Sequence, residues 1–275
     1  MRLLRYGSSG PSVQLLQLAL NRAGYGQLDT DGQFGRATEA ALRSFQAASG
    51  IGVDGIAGPR THRAILPWYL GYILHRVQPG DSVYLLARRY GSSQEAIFLA
   101  NPGLEPLNLQ PGQELVVPFS FPVVPTGISF FSALVGYCVR GLAARYPFIS
   151  TGEIGRSVMG RPLWRLNLGS GKNRVLYNAC HHANEWICTP LLLKFTEELS
   201  AAFASGGRIF SQSAAELLDY ASVYIVPAVN PDGMDLAAGE LQDGEYYNGA
   251  RRIAADYPAY PFPQGWKANI RGVDL

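Results

Sequence analysis

The chain has 275 residues, 16% of them charged, with a formal net charge of only +2. That length allows one to three domains with a real core, and the weak charge gives no footprint for nucleic acid or a membrane surface. Three cysteines, Cys138, Cys180 and Cys188, show no paired spacing, so a disulfide framework is not expected and all three read as small buried residues.

The N-terminus carries Arg2 and Arg5, then Gly7-Ser8-Ser9-Gly10-Pro11, with no apolar run suited to a signal sequence. The most apolar stretch, Ile128 to Val139, is too short to span a bilayer. Val13, Leu16, Leu20 and Ala23 recur at helical steps, with Pro11 in the first turn and Gly24 at the end. Next comes Asp31-Gly32-Gln33-Phe34-Gly35-Arg36-Ala37-Thr38, echoed by Asp54-Gly55-Ile56-Ala57-Gly58-Pro59-Arg60-Thr61. Both read D-G-x-x-G-x-x-T, a tight turn followed by a helix opened at Thr. Ala41, Leu42 and Phe45 give a second helical face between the copies.

With Gln17 and Gln46, these turns resemble the type-one peptidoglycan-binding domain, a three-helix module, over residues 1–68. An aromatic connector, Pro67 to Tyr72, leads to His75-Arg76-Val77-Gln78-Pro79-Gly80-Asp81-Ser82. A strand from His75 breaks at Pro-Gly, two helices capped near Ser82 and Ser93 follow, and Leu109-Gln110-Pro111-Gly112-Gln113-Glu114-Leu115-Val116-Val117-Pro118 returns as a strand. This βααβ order over 75–118 resembles a LysM domain, a binder of N-acetylglucosamine chains. The resemblance implies a sugar groove between Gly80, Asp81 and Ser82 on one loop and Leu109, Gln110, Pro111 and Gly112 on the other.

Residues 119–125 read as an extended linker. Leu134, Tyr137, Cys138 and Leu142 share a helix face closed before Pro147, and short strands are expected around Ile154 and from Leu163 to Leu168. Arg174 to Cys180, apolar on both faces, reads as a central strand. Helices from Thr189 and over 213–220, a strand at 223–226 and a structural turn at Asn230-Pro231-Asp232-Gly233 complete a mixed α/β pattern.

The strand from Arg174 ends at His181-His182-Ala183-Asn184-Glu185. His182 and Glu185, three apart, can bend onto one Zn²⁺. The same pair also suits a locally bonded histidine and a glutamate at a helix start. His181 should point away from His182 if the strand persists. Glu197, Glu198 and Glu216 are spaced as helix-surface residues, and Glu240 and Glu245 as loop residues.

Ile154-Gly155-Arg156-Ser157, Gly160-Arg161-Pro162, the His182 block, Val229-Asn230-Pro231-Asp232-Gly233, Trp266-Lys267 and Gly272-Val273-Asp274 occur in an order that resembles the zinc carboxypeptidases of the carboxypeptidase A type. With both wall-binding modules, the chain resembles the bacterial γ-D-glutamyl-meso-diaminopimelate peptidases, with 126–275 matching the N-terminal half of the catalytic domain. The resemblance implies a multidomain zinc peptidase, one Zn²⁺ per complete catalytic domain, acting on peptidoglycan glycan chains and stem peptides. His182 and Glu185 become zinc ligands, Asp274 the partner of the second His182 nitrogen, and Lys267 a candidate cation at the scissile carbonyl. Asn184 stands where digestive relatives carry a substrate-binding arginine.

The other histidines, His62 and His75, lie in the binding modules, so a third ligand and a glutamate base are not found. In the resembled family both follow the G-V-D-L block, so a truncated, inactive chain is expected. A non-catalytic wall binder and a carboxypeptidase on another stem-peptide bond are the alternatives. The expected place is the cell wall or a spore envelope, reached without a visible signal peptide, and the expected state is a monomer.

Overall fold

Each Asp-Gly turn closes on a buried glutamine. In the computed structural model, which describes residues 2–105 and 107–275, α1 (Pro11–Arg22), α2 (Arg36–Ala48) and α3 (Pro59–Leu70) form an N-terminal bundle. Gln17 on α1 donates to Asp31 (2.8 Å) and Thr38 Oγ1 (3.2 Å) and accepts from Gly32 N (2.9 Å). Gln46 on α2 repeats the set with Asp54 (2.8 Å), Thr61 Oγ1 (3.2 Å) and Gly55 N (3.0 Å). The sequence echo is thus one hydrogen-bonded staple used twice, each satisfying a buried amide.

The connector expected at 67–72 is mostly helix. α3 runs through Pro67 to Leu70 and stops on Gly71, whose φ of 79° is in the left-handed region. Its aromatic residues are therefore aimed: Trp68 against Phe45 and Phe119, Tyr69 against Tyr137. β1 (Tyr72–Arg76) begins three residues earlier than expected. With α4 (Val83–Tyr90), α5 (Gln94–Ala100) and β2 (Glu114–Pro118) it forms the βααβ unit, the strands antiparallel. Ser82 and Ser93 cap its helices, accepting from Leu85 N and Ala96 N, over a small core of Val77, Leu86, Ile97, Leu115 and Val117.

The C-terminal part contains α6 (Ser132–Arg145), β3 (Ser150–Arg156), β4 (Pro162–Leu168), β5 (Asn173–Asn178), a 3-10 turn (Ala183–Glu185) and α7 (Cys188–Ala204). A two-residue hairpin, β6 (Arg208–Ile209) and β7 (Gln212–Ser213), leads to α8 (Ala214–Tyr220), β8 (Ala221–Val226), α9 (Pro231–Ala237) and α10 (Gly244–Ala254). The sheet order is β3-β4-β8-β5, antiparallel except for the parallel β5–β8 pair, so the sheet is mixed as expected. Among the described residues β5 is an edge strand, not a central one: Val175 packs against the core, while Leu176 and Tyr177 are exposed, Tyr177 beside Phe195. The buried central strand is β8.

Other expectations are corrected. Asn230-Pro231-Asp232-Gly233 opens α9, with Asn230 as its cap, and Glu245 sits in α10. Cys188 is exposed, while Cys138 and Cys180 are buried. Glu197 is buried on α7 instead of lying on its surface, because residues 119–125 cross over it. Its carboxylate accepts from Val123 N (2.6 Å) and Val124 N (3.4 Å). Arg145 donates to the carbonyls of Gly71, Phe119 and Phe121. The expected linker is a fixed strap, with Val123 and Val124 buried.

One apolar core runs from Leu4, Leu16 and Tyr69 through Tyr137 and Leu142 to Leu166 and Ile225, joining the N-terminal bundle to the sheet. Glu240, after α9, crosses the same junction. It accepts from Ser12 N (3.0 Å) and from the Ser12 hydroxyl, placing an anion at the first turn of α1, where the helix dipole favours it. Burial, offset in part by the Ser12 bonds, raises its carboxyl above the ordinary 4.5. A folded value above the unfolded one makes this group's contribution fullest below pH 4.5 and smaller as pH climbs through the raised value. Glu240→Gln is expected to flatten that part of the stability profile while keeping an acceptor for Ser12. Urea midpoints from acid to neutral pH check it, and parallel profiles for the two proteins would refute it.

Candidate functional site

β5 stops at Asn178, two residues short of its expected end. Cys180 has φ 54°, the left-handed region that non-glycine residues rarely enter. Val229 N bonds Ala179 O (3.0 Å) and Asn230 N bonds Cys180 O (3.0 Å), so the extension beyond β8 holds this kink on both sides. Burial pushes the Cys180 thiol up to about 12, which removes it as a nucleophile at neutral pH. The kink, rather than strand alternation, turns His181 aside, and its Nε2 lies 2.8 Å from Asn178 Oδ1.

His182 enters the 3-10 turn as its cap residue. Its Nδ1 lies 3.1 Å from Glu185 Oε1, and its Nε2 lies 3.4 Å from Asp274 Oδ1. The imidazole is thus flanked by two carboxylates, one per nitrogen, and both carboxylates are open to solvent. A metal on Nδ1 would leave the proton on Nε2 for Asp274, the arrangement in which an outer carboxylate fixes a ligand's tautomer. The donor types and their shared side fit Zn²⁺ as far as they go. Among the described residues no group of three or more His, Cys, Asp or Glu could hold a metal ion, so the pair supplies two of the three protein donors of a catalytic zinc.

Lys267 comes to this corner through its backbone, its carbonyl accepting from Ala183 N at 2.8 Å. Its side chain is exposed and lines a cavity of about 350 Å³ with Asp274, Trp266, Phe262, Tyr260 and Tyr257. The Tyr257-Pro258-Ala259-Tyr260-Pro261-Phe262 run was the signal for that aromatic wall. Asn184 lies in the same 3-10 turn, and its buried Oδ1 has no hydrogen-bond partner. Asn230, read from sequence only as part of a structural turn, reaches this corner as well. Its Nδ2 donates to His181 O (2.9 Å) and Ala268 O (3.1 Å), touching both segments of the corner.

The two loops proposed for glycan meet at one end of the β1–β2 pair, where Gly112 N bonds Val77 O and Val77 N bonds Gln113 O, both at 2.8 Å. Asp81 is held within its loop: it accepts from Gln78 N (2.8 Å), lies 2.7 Å from His75 Nε2, and pairs with Arg89 at 3.3 Å. The Gln78 bond, then His75 and Arg89, hold its carboxyl below the usual range against a burial penalty. Ser82 is engaged as a helix cap. Leu109 packs on the small core, and Gln110 bonds Asn108. Gly80, Gln110, Pro111 and Gly112 are exposed.

Among the described residues no helix is long and apolar enough to cross a membrane. The zinc carboxypeptidase family model matches residues 137–275, a LysM model matches 75–118 and a peptidoglycan binding domain model matches 9–65. The chain is 42% identical over 134 residues to the uncharacterized protein YqgT of Bacillus subtilis, covering 47% of this chain and 35% of that protein. It is 36% identical over 137 residues to gamma-D-glutamyl-L-diamino acid endopeptidase 1 of Lysinibacillus sphaericus, covering 50% and 34%. A zinc D-Ala-D-Ala carboxypeptidase of Streptomyces albus G is 52% identical over 66 residues, 22% of this chain and 25% of that one. The chain thus spans about a third or less of the length of these curated relatives.

Proposed function

The chain belongs to the zinc carboxypeptidase family of metallopeptidases, and from that premise we propose that it is a peptidase of the bacterial wall that cleaves the peptidoglycan stem peptide between D-glutamate and the diamino acid. The likeness to the Lysinibacillus endopeptidase supports that bond, and the peptidoglycan-binding and LysM domains support attachment to the wall or a spore envelope. In this reading 1–68 and 75–118 hold glycan, 126–275 carries the chemistry, and the protein acts as a monomer.

The observation that carries the chemistry is the His182 imidazole set between Glu185 and Asp274. His182 and Glu185 would hold the zinc, and Asp274, beside Nε2, would keep the remaining imidazole proton there. When bound, zinc supplies Lewis-acid polarisation of the scissile carbonyl and a water of lowered pKa. Lys267 places a cation by the developing oxyanion, as a point charge without the two-pronged contact of arginine. Asn184, in the 3-10 turn that carries Glu185, is the proposed substrate contact.

With two donors, these 275 residues are expected to hold zinc weakly and to leave muropeptides uncut. Equilibrium dialysis with zinc, beside His182→Ala, and mass analysis of treated muropeptides check both points. Chelator-sensitive hydrolysis by this chain would overturn the two-donor account. In a protein with the donor set completed, a diamino acid released with a free α-amino group supports the endopeptidase. Loss of only the terminal residue would identify a carboxypeptidase, and no cleavage would leave a wall binder.

A further inference from the structure

Asn230 directs its three N–H hydrogens to the corner. Its backbone N–H goes to Cys180 O, and its Oδ1 caps α9 by accepting from Gly233 N at 3.0 Å. The two hydrogens of Nδ2 go to His181 O and Ala268 O, at 2.9 and 3.1 Å. The residue is 3% exposed, so none of these bonds is exchangeable with bulk water at low cost. The two acceptor carbonyls belong to the residues that adjoin His182 and Lys267 in the chain.

We propose that Asn230 is a positioning residue that locks the His182–Glu185 turn to the Lys267–Asp274 segment, so that ligand pair, outer carboxylate and cation share one rigid frame. The need for such a lock is local. Residues 266–275 contain no helix or strand, and Asp274 reaches His182 only if that segment keeps its register. Among the described residues one further backbone hydrogen bond, Ala183 N to Lys267 O, joins the same two segments. Packing reinforces the clamp: a Cβ on Gly233 would lie 2.6 Å from Asn230 Nδ2 and 2.8 Å from Ala183 Cβ. Only glycine lets the first turn of α9 close onto the amide and the turn beneath it. Functional groups tolerate misplacement of only about 0.5 Å, and one amide spanning both segments removes their freedom to slide.

The metal part of this inference rests on the zinc reading above, whereas the clamp itself does not. Asn230→Asp keeps the α9 cap and the side-chain shape but replaces the double donor with an acceptor facing two carbonyls. Amide hydrogen exchange in the full chain is expected to show the Ala183 N–H exchanging at least about fivefold faster, with β8 amides unchanged. Cobalt(II), used as a visible probe of the pair, is expected to bind about tenfold or more weaker than to the unaltered chain. If Asn230→Asp does not fold, Asn230→Ser, which retains a capping hydroxyl, takes its place with the same expectations. Unchanged Ala183 exchange, or acceleration spread evenly over all amides, would overturn the clamp. Local acceleration with unaltered cobalt affinity and spectrum would overturn its role at the ligand pair. If the unaltered chain binds no cobalt, the zinc reading fails, and the exchange pattern alone decides the clamp.

Discussion

Arg161→Met is expected to lower the unfolding free energy by about 3–5 kcal/mol, the range for stripping the counter-ion from buried charge. Arg161 sits between two carboxylates, with Nη1 2.6 Å from Asp232 Oδ1 and Nη2 2.9 Å from Asp235 Oδ2, and its Nε donates to Ser132 Oγ at 3.0 Å. Both aspartates are 2% exposed. Asp235 also accepts from Ser132 N (2.6 Å), and Asp232 from Met159 N (2.9 Å) and Ser157 Oγ (2.8 Å). Burial raises the Asp235 carboxyl, the Arg161 charge draws it back, and Asp232 pushes it up. Methionine keeps the packing and deletes the largest downward cause, leaving burial and Asp232 opposed only by the Ser132 bonds. The folded value then stands further above the unfolded 3.8, so stability is lost as pH rises through it and regained as pH falls. Urea denaturation at neutral and mildly acidic pH should therefore show a deficit that narrows in acid. An equal deficit at both would mean that lost packing, not stranded charge, carries the effect. Asp232 lies in the same helical turn as Asn230, so the damage also reaches the His182 corner.

His182 and Glu185 were legible by their three-residue spacing, whereas Asp274 was reached only through the block order of the resembled family. Asn230 was not legible as a clamp, because Asn-Pro-Asp-Gly explains itself locally. Its Oδ1 does cap α9, which accounts for the asparagine without reference to the two long-range carbonyls that use its other atom. Glu197 failed for a similar reason. Helical spacing tells which residues share a face, not which faces a distant strap covers, and residues 119–125 are what bury it. Apolar character on both faces of 174–180 marked a strand but not its rank, since rank depends on pairing with β8. The repeated Asp-Gly turns, by contrast, are short-range staples between adjacent elements, so the repeat in sequence survives as a repeat in bonds. Pro67 misled at the end of α3: it removes one helical N–H, yet Trp68 and Tyr69 pack well enough on both sides to carry the helix past it.

Gly141→Ala is expected to cost about 3 kcal/mol, the upper end for overpacking a core, and to lower the melting temperature by roughly 6–12 °C. A Cβ at Gly141 would stand 2.2 Å from Leu70 O and 2.6 Å from Val123 Cγ1. The first is backbone at the end of α3, held by Gly71, and the second belongs to the strap pinned by Glu197, so neither can step aside cheaply. Gly136→Ala on the same helix is the control. Its Cβ would meet the Trp164 indole at 3.3 Å, a side chain with room to tilt, and the cost should stay below about 1.5 kcal/mol. If the two variants melt alike, α6 does not seat the end of α3. If Gly141→Ala melts early and becomes protease-sensitive within 119–125, the seat is what joins the wall-binding bundle to the sheet. That distinction bears on function. Under the proposed function, a bundle sharing a core with the sheet would hold a glycan strand at a fixed distance and angle from His182. A tethered bundle would only raise the local concentration of the proposed substrate, so the cost of one methyl group at Gly141 measures how firmly the bundle is seated relative to the His182 corner.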